Sequence, residues 1–354
     1  MVTKKVFNQR IFSGIQPTGV PHLGNYLGAI ANWVRLQDSH QDCLFSIVDL
    51  HAITVPQQPS ILKKNINEMA MSLIACGINQ DKSILFRQSK VHQHSELAWI
   101  LFCRTPVSWL TRMHQWKTKG KIQDSSDESG LTGPLGLLSY PTLMAADVLL
   151  YRGTHVPVGE DQLQHINLMT DIAKSFNSSF KKEVFPIPQG MFTSEKAKRI
   201  MSLRDPTSKM SKSDESDASR INLTDSPSKI LGKIKKATTD STIGITYDAS
   251  RPGVFNLLNI LMSIEDMNEI KWGNLSQVEL QDAVSDQFGR MGNAEFKQIV
   301  ADRIVEHLNP IRDRFNELSQ DQQQIEDILK LGEAKASSLA SRTMRDVYKS
   351  VGLP

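Results

Sequence analysis

The chain has 354 residues, 40% of them hydrophobic, so it can form two domains and bury at least one substantial core. Its formal net charge of +3 does not by itself demand a polyanionic partner, so any case for nucleic-acid binding must come from local patches. No repeat period is visible and no apolar run approaches bilayer length, which excludes a solenoid and a membrane-spanning protein and predicts a soluble one.

The cysteines and the N-terminus bear on the compartment. Cys43, Cys76 and Cys103 lie far apart without a C-x-x-C pair, which favours a reducing compartment and argues against a zinc or iron–sulfur site. No Asp or Glu precedes Asp38, whereas several basic residues do. An acid-poor, basic start is typical of an organellar transit segment, and a short basic tail is the alternative.

The first predicted element is a strand, Arg10 to Ile15, which runs into a Gly/Pro-rich turn and a helix that begins near Asn25. Glycines at such a crossing let a nucleotide approach the backbone, and a helix N-terminus offers N–H groups to phosphates. His22 can add a hydrogen bond to those oxygens. The pattern predicts a phosphate site, with an ordinary turn and a structural histidine as the alternative.

Two further strands are predicted at Leu44 to Val48 and at Ile84 to Arg87, with a helix between them. Ser60 can cap this helix, and Gly77 ends it. Short strands that alternate with amphipathic helices are typical of a parallel α/β sheet. The stretch from Gly120 to Gly136 is rich in Asp, Ser and Gly and predicts a mobile surface loop.

The stretch from Tyr140 to Leu150 predicts a buried helix that contains a single carboxylate, Asp147. An ionised carboxylate among apolar neighbours is costly unless it has a partner. A helix cap or a salt bridge would supply one. The alternative is a ligand with one N–H donor and no acceptor, such as an indole, because a buried carboxylate complements that group. A site of this kind can reject an analogue without the N–H by about 10⁴ to 10⁵.

Polar groups also follow two apparent strands, in the segments Val156 to His165 and Val48 to Ala52. Ligands bind at the carboxyl ends of strands in open α/β sheets, so Gly159 is a candidate to lie under an adenosine. Alternatively, residues 160–162 are the capped start of a helix.

The pentapeptide KMSKS, Lys209 to Ser213, lies in a polar, Ser-rich stretch. Two lysines in such a loop suit a mobile clamp on a polyphosphate, because ammonium groups neutralise charge that moves onto a leaving pyrophosphate. The alternative is a solvated charged loop.

Helical spacing replaces the strand pattern after about residue 220 and predicts an all-helical C-terminal domain. Pro310 is expected to bend the helix it interrupts or to divide it in two. Four lysines at helical spacings predict either a surface that follows a phosphate backbone or a solvated helix face. They are Lys229, Lys233, Lys235 and Lys236.

The motifs PxxxxHLGN and KMSKS together resemble the HIGH and KMSKS motifs of the class I aminoacyl-tRNA synthetases, with Asn25 in place of a second histidine. Further stretches look like the tryptophanyl branch of that class: IFSGIQPTG, VDLHAIT, YPTLMAADVLLY, THVPVGEDQLQH, IMSLRDPTSKMSKS and KKATTDS. They span essentially the whole chain, and MAAD and VPVGEDQ favour tryptophan over tyrosine.

The resemblance implies an α/β fold, in which a Rossmann-like parallel-sheet catalytic domain precedes an all-helical C-terminal domain. The implied bounds are 1–205 for the catalytic domain with a helical insertion at about 88–138, 206–223 for the KMSKS loop and linker, and 224–354 for a helical anticodon-binding domain. The implied activity is ATP-dependent activation of L-tryptophan to tryptophanyl-adenylate and its transfer to tRNA(Trp) for protein synthesis. The implied partners are tRNA(Trp) and a second copy of the chain in a homodimer. No association with a membrane is implied.

The resemblance also implies roles for individual residues. Catalysis is assigned to Gln16, His22, Lys209 and Lys212. ATP binding is assigned to Gln16, Pro17, Thr18, Gly24, Asn25, Gly159, Glu160, Asp161, Ile200, Lys209, Met210, Ser211, Lys212 and Ser213. Tryptophan binding is assigned to Asp147 as acceptor of the indole N–H, to Tyr140 and Gln162 at the ammonium group, and to Phe12, Gly14, His51, Met144, Val156 and Val158 as pocket walls. The protein itself is expected to hold no metal, since Mg²⁺ is bound through the triphosphate.

Three other functions remain open at this point. They are a tyrosyl-tRNA synthetase, another nucleotidyltransferase of the same superfold, and a tRNA- or intron-binding factor that has lost catalysis. The expected compartment is the mitochondrial matrix, with the bacterial cytoplasm as the alternative.

Overall fold

The computed structural model describes residues 6–119, 133–159, 162–192, 199–268 and 271–354. Within them, five strands form a single parallel sheet: β1 (Ile11–Ile15), β2 (Cys43–Ile47), β3 (Ile84–Arg87), β4 (His155–Val158) and β5 (Gln189–Phe192). Their order is β3-β2-β1-β4-β5. The order reverses between β1 and β4, which is the switch point where ligands bind in such sheets.

The described helices surround the sheet and make up the C-terminal part of the molecule. They are α1 (Leu23–Asn25), α2 (Ala31–Ser39), α3 (Asp49–Ala52), α4 (Pro59–Ala75), α5 (Gln93–Phe102), α6 (Val107–Leu110), α7 (His114–Lys119), α8 (Leu135–Leu150), α9 (Leu163–Ser179), α10 (Pro227–Lys235), α11 (Pro252–Asn268), α12 (Gln277–Phe288), α13 (Asn293–Gln320) and α14 (Gln322–Val351). A π-helical turn, Tyr26–Ile30, joins α1 to α2. In the described ranges, none of the helices has both the length and the apolar composition that crossing a membrane requires.

The predicted fold class, a Rossmann-like sheet followed by a helical region, is confirmed. β1 and β2 each contribute to two cores, because successive side chains point to opposite faces of a sheet. Ile11 and Phe45 belong to the core that extends into the C-terminal helices. Phe12 and Leu44, their neighbours, belong to the core against α5, α8 and α9. Burial on both faces explains why these strands are almost continuously apolar. The bounds predicted for the domains stay predictions.

Three local predictions need correction. Ser60 does not cap α4, which begins at Pro59 after Gln58; a proline suits the first turn because its missing N–H would have no helical partner there. Of the two outcomes expected at Pro310, division is wrong, because α13 is a continuous helix of 28 residues, whereas the bend stays a prediction. The exposed position of Pro310 lets water reach the carbonyl that it frees. Of the predicted loop, residues 120–132 lie outside the described residues, and Leu135 already begins α8.

The last helix, α14, covers the outer edge of the sheet. It packs along β3, and the Arg87 guanidinium donates to Glu326 and Glu333 on that helix at 2.8 and 2.5 Å. Leu329 of α14 joins one core and Ala336 joins the other. A strand edge that would otherwise present unpaired backbone groups is therefore covered by a helix that belongs to both cores.

We expect Gly332→Ala to destabilise the protein by about 2 kcal/mol or more, because added core volume forces backbone shifts. A Cβ at Gly332 would lie 1.8 Å from the carbonyl oxygen of Leu85 in β3, so α14 would have to move off the sheet. The matched control is Gly232→Ala in α10, where a Cβ meets nothing within 4 Å. That change should be neutral or stabilise by up to about 1 kcal/mol. Equal unfolding free energies for the two variants in urea would contradict the close contact.

Candidate functional site

A cavity of about 350 Å³ lies at the carboxyl ends of β1 and β4, at the switch point of the sheet. All nine residues predicted to bind tryptophan line it: Phe12, Gly14, His51, Tyr140, Met144, Asp147, Val156, Val158 and Gln162. Gln16 and Gly159, predicted to contact ATP, line it too. The structure therefore brings together residues from four separate segments of the chain, and their binding roles remain proposals.

Asp147 is buried in the wall of this cavity and its carboxylate accepts three hydrogen bonds. His51 Nε2 lies 2.7 Å from Oδ2, whereas Gln88 Nε2 and His94 Nδ1 lie 2.7 and 2.6 Å from Oδ1. Burial alone would raise the pKa of Asp147, but the two histidines hold it well below its usual value. The carboxylate is therefore a fixed negative charge at neutral pH.

Tyr140 presents a neutral hydroxyl at the cavity. Its oxygen lies 2.7 Å from Nε2 of His165, and burial raises the pKa of Tyr140 to about 12. Its ring meets that of His51 edge to face at 6.2 Å. The cavity thus combines one carboxylate with hydroxyl and amide groups and apolar walls, which is the composition of a small-molecule site.

His22 caps the helix that follows β1. This helix begins at Leu23, two residues before the predicted start. His22 and Asn25 form a capping box in which His22 Nδ1 accepts from the Asn25 backbone N–H at 3.3 Å. Burial, together with the nearby Lys212, lowers the pKa of His22 to about 4, so the ring is neutral at pH 7. Because Nδ1 accepts, the proton of the neutral ring resides on Nε2, which can donate to a phosphate oxygen.

The KMSKS loop lies against this turn. The Met210 N–H donates to the carbonyl of Ile200, and the Lys212 ammonium donates to the carbonyl of Thr18 at 2.7 Å. Burial lowers the pKa of Lys212 to about 8, Glu68 opposes that shift, and Arg220 adds to it. Two motifs that are distant in sequence therefore meet in the structure, as the clamp hypothesis requires.

The turn also connects the two parts of the site. Gln16 lines the cavity, and Thr18 lines a second, open pocket together with Lys212. Pro17 is buried between them, and a Cβ added to Gly24 would lie 3.1 Å from the His22 ring.

The remaining residues predicted to bind ATP lie elsewhere in the chain. Lys209 and Ser213 are exposed, Ser211 is half-buried, and Glu160 and Asp161 lie outside the described residues.

Comparison with known proteins identifies the family. The sequence model described as "tRNA synthetases class I (W and Y)" matches residues 5–309. The chain belongs to that family. The tryptophan–tRNA ligase of Rickettsia conorii is 46% identical over 97% of this chain and 98% of its own length. The mitochondrial tryptophan–tRNA ligase of Schizosaccharomyces pombe is 43% identical over 99% of this chain and 98% of its own length. The resemblance inferred from the motifs is thereby confirmed.

Solved structures of class I synthetases support the same assignment. The tryptophanyl-tRNA synthetase of Mycoplasma pneumoniae has a TM-score of 0.84 at 34% identity and covers 98% of both chains. That of Campylobacter jejuni, complexed with ADP and tryptophan, has a TM-score of 0.76 at 31% identity and covers 98% of this chain and 100% of its own. The similarity thus extends over the sheet and the C-terminal helices.

Sequence reasoning missed several residues of this class I site. Gln88 and His94 hold Asp147, and Gly28, Asn32 and Trp33 line the cavity from the π-helical turn and α2. Gln88 directly follows β3, so its position at a strand end was a usable signal. His94 carries no comparable local signal.

The lysine surface predicted to follow a phosphate backbone is wrong at Lys233 and stays a prediction at the other three lysines. Lys233 is buried and its ammonium binds Asp217 and Asp225 at 2.8 and 2.6 Å. Lys229 also faces these two carboxylates, at 3.6 and 3.5 Å. Only Lys235 and Lys236 of the four are exposed without an ion pair in the described part of the chain. Of the four lysines, Lys233 alone is buried, whereas Lys229 stays exposed beside the same two carboxylates.

Proposed function

We propose that the chain activates L-tryptophan with ATP, forming tryptophanyl-adenylate, and transfers the tryptophanyl group to tRNA(Trp). The observation that carries this function is the buried, ionised Asp147 in a cavity lined by all the predicted amino-acid-binding residues. Relatives named tryptophan–tRNA ligase that are 42–46% identical along nearly the whole chain support the same substrate.

The proposed tryptophan site pairs the indole N–H with the Asp147 carboxylate. The ring would lie between apolar side chains such as Phe12 and Met144, both of which line the cavity. The Tyr140 hydroxyl and the Gln162 amide would receive the ammonium group. This arrangement places the substrate carboxylate towards Gln16, at the start of the turn that carries His22.

Activation needs no enzymic base, because the tryptophan carboxylate is already ionised at neutral pH. Catalysis then consists of aligning that carboxylate with the α-phosphate and of stabilising the charge on departing pyrophosphate. The neutral His22 ring would donate from Nε2 to a phosphate oxygen. Lys209 and Lys212 would supply positive charge once the KMSKS loop has moved from Thr18 onto the triphosphate.

We propose that Mg²⁺ arrives with ATP, bound by the triphosphate oxygens. Among the described residues, no group of three or more His, Cys, Asp or Glu side chains could hold a metal ion. The chain's own contribution near the phosphates is cationic instead, through Lys209, Lys212 and Arg220. The structure of the C. jejuni relative with ADP and tryptophan supports the use of ATP.

The test of the function is amino-acid-dependent ATP–pyrophosphate exchange with purified protein. Exchange with tryptophan, at least about 10⁴-fold above that with phenylalanine in kcat/KM, is expected from a site that pairs the indole N–H. Exchange that depends on tyrosine would favour the tyrosyl rival. Binding of tRNA without exchange for any amino acid would favour a non-catalytic factor and would refute the proposal.

We propose that the protein is a homodimer that pairs through the surface around α8. Several large apolar side chains are exposed on segments that pack around this helix: Ile53, Val55, Trp99, Val107 and Leu135. Exposed apolar patches on one face are typical of association sites.

We expect a dimer in sedimentation equilibrium for the parent and a shift towards monomer for Trp99→Lys. The control is Ile243→Lys, which changes an exposed isoleucine outside this surface. A parent that sediments as a monomer would contradict the proposal.

We propose the mitochondrial matrix as the compartment. Support comes from relatives named as mitochondrial in Schizosaccharomyces pombe and Dictyostelium discoideum and from the acid-free, basic segment before Asp38. Relatives that are 44–46% identical also include bacterial proteins, so the bacterial cytoplasm is the alternative. Fusing the first 40 residues to a fluorescent reporter tests this, and a reporter that stays cytosolic would contradict it.

A further inference from the structure

The two oxygens of the Asp147 carboxylate are not equivalent. Oδ1 accepts from Gln88 Nε2 and from His94 Nδ1, whereas Oδ2 accepts from His51 Nε2. A carboxylate oxygen accepts about two hydrogen bonds. Oδ1 is therefore fully used, and among the described residues Oδ2 has a single donor, so the remaining acceptor direction belongs to Oδ2.

The orientation of both donors to Oδ1 is fixed by further partners. The Gln88 amide oxygen accepts from the Leu50 backbone N–H at 3.0 Å, so its Nε2 faces Asp147. The carboxylate only accepts, so His94 Nδ1 must carry a proton. His94 Nε2 lies 2.8 Å from the Tyr151 hydroxyl oxygen, so a second hydrogen bond fixes the other side of the ring. Burial raises the pKa of Tyr151, which keeps its hydroxyl protonated.

These residues form a wall behind the carboxylate rather than part of the cavity. Gln88, His94 and Tyr151 are each completely buried, and the cavity lining does not include them. His94 also contacts the rings of Phe86 and Tyr151, at 5.9 and 5.4 Å between centroids. Tyr151 also stacks on Phe12 of the cavity wall, at 5.5 Å between ring centroids, so a test of its effect through Asp147 has to remove its hydroxyl and keep its ring.

Building on the proposed tryptophan activity, we propose that His94, Gln88 and Tyr151 are positioning residues for amino-acid specificity. Gln88 and His94 saturate Oδ1 of Asp147, and Tyr151 fixes the His94 ring. Together they hold the plane of the carboxylate, so that Oδ2 alone receives the indole N–H. The terminal torsion of an aspartate is broad and roughly two-fold, so a carboxylate without these donors could rotate. Rotation would weaken the pairing with an N–H but would matter less to a ligand that has no N–H.

The test compares L-tryptophan with L-3-(1-benzothiophen-3-yl)alanine, in which sulfur replaces the indole N–H. In pyrophosphate exchange, we expect His94→Leu to raise KM for tryptophan by about tenfold or more, since a hydrogen bond to a charged group is lost. The kcat/KM ratio of tryptophan to the analogue should fall by a similar factor, with kcat changed less than about threefold. His94→Asn keeps a donor near the Nδ1 position and should recover most of the ratio.

The control is His92→Leu, which changes an exposed histidine at the start of the same helix. It should leave kcat and KM unchanged for both amino acids. A merely structural role for His94 would lower the melting temperature and leave the ratio intact. That outcome, or a ratio that His94→Asn does not recover, overturns the inference. If His94→Leu does not fold, Tyr151→Phe decides, because it removes a single oxygen, and an unchanged ratio there also overturns it. Parent protein that does not activate tryptophan would instead refute the proposed function itself.

Discussion

Replacing Asp147 by asparagine is expected to lower kcat/KM for tryptophan in pyrophosphate exchange by about 10² to 10³-fold, the usual effect of removing one partner of a buried charged hydrogen bond. The change keeps the shape of the side chain but removes its charge. The amide nitrogen would also bring donors to a position where His51, His94 and Gln88 already donate. At least one donor would then face another donor in a buried site.

The same variant should lose its preference for an N–H. We expect the kcat/KM ratio of tryptophan to its benzothiophene analogue to approach one, because neither ligand then meets a charged acceptor. The matched control is Asp171→Asn, which changes an exposed aspartate on α9 and should have no effect. If Asp147→Asn kept the parent's ratio, the indole N–H would have to bind elsewhere and the tryptophan site would be misassigned.

The amino-acid site could be predicted largely from sequence because its key residue violates a local rule. A carboxylate in an apolar helix is costly, so Asp147 stands out without any structure. Wall residues such as Gly14 and Val158 lie near the carboxyl ends of β1 and β4, and the topology of a parallel sheet brings those ends together. Three strands, β1 to β3, were predicted to within one residue, because burial on both faces makes them continuously apolar. No strand was predicted at β5, whose sequence QGMF is short and only partly apolar.

Other features could not be predicted because they depend on long-range contacts or on irregular backbone. His94 reaches Asp147 across 53 positions of sequence, and no local pattern marks it. Asn32 and Trp33 follow a π-helical turn, which shifts the helical phase, so regular spacing cannot tell which side chains face the cavity. Lys233 looked like a surface charge because its partners, Asp217 and Asp225, lie outside its own helix.

Replacing Lys212 by methionine is expected to lower kcat for pyrophosphate exchange by about 10² to 10³-fold, the usual effect of removing one preorganised group that stabilises transition-state charge. Methionine keeps most of the aliphatic stem and removes the ammonium. KM for tryptophan should change less than about threefold, because Lys212 does not line the amino-acid cavity. Lys63→Met, on the exposed surface of α4, is the control and should behave like the parent.

The pH dependence of the parent should identify the same group. Burial lowers the pKa of Lys212 to about 8, so the ammonium form is present below that pH and is lost as the pH rises through it. Because kcat/KM for ATP reports on ionisations of the free enzyme, it should fall above pH 8 in the parent. The Lys212→Met variant lacks the titrating group, so its low kcat/KM for ATP should not show this fall above pH 8. An equal fall of kcat/KM above pH 8 in both proteins would mean that another group titrates. An undiminished kcat in the variant would show that Lys212 does not stabilise charge on the triphosphate.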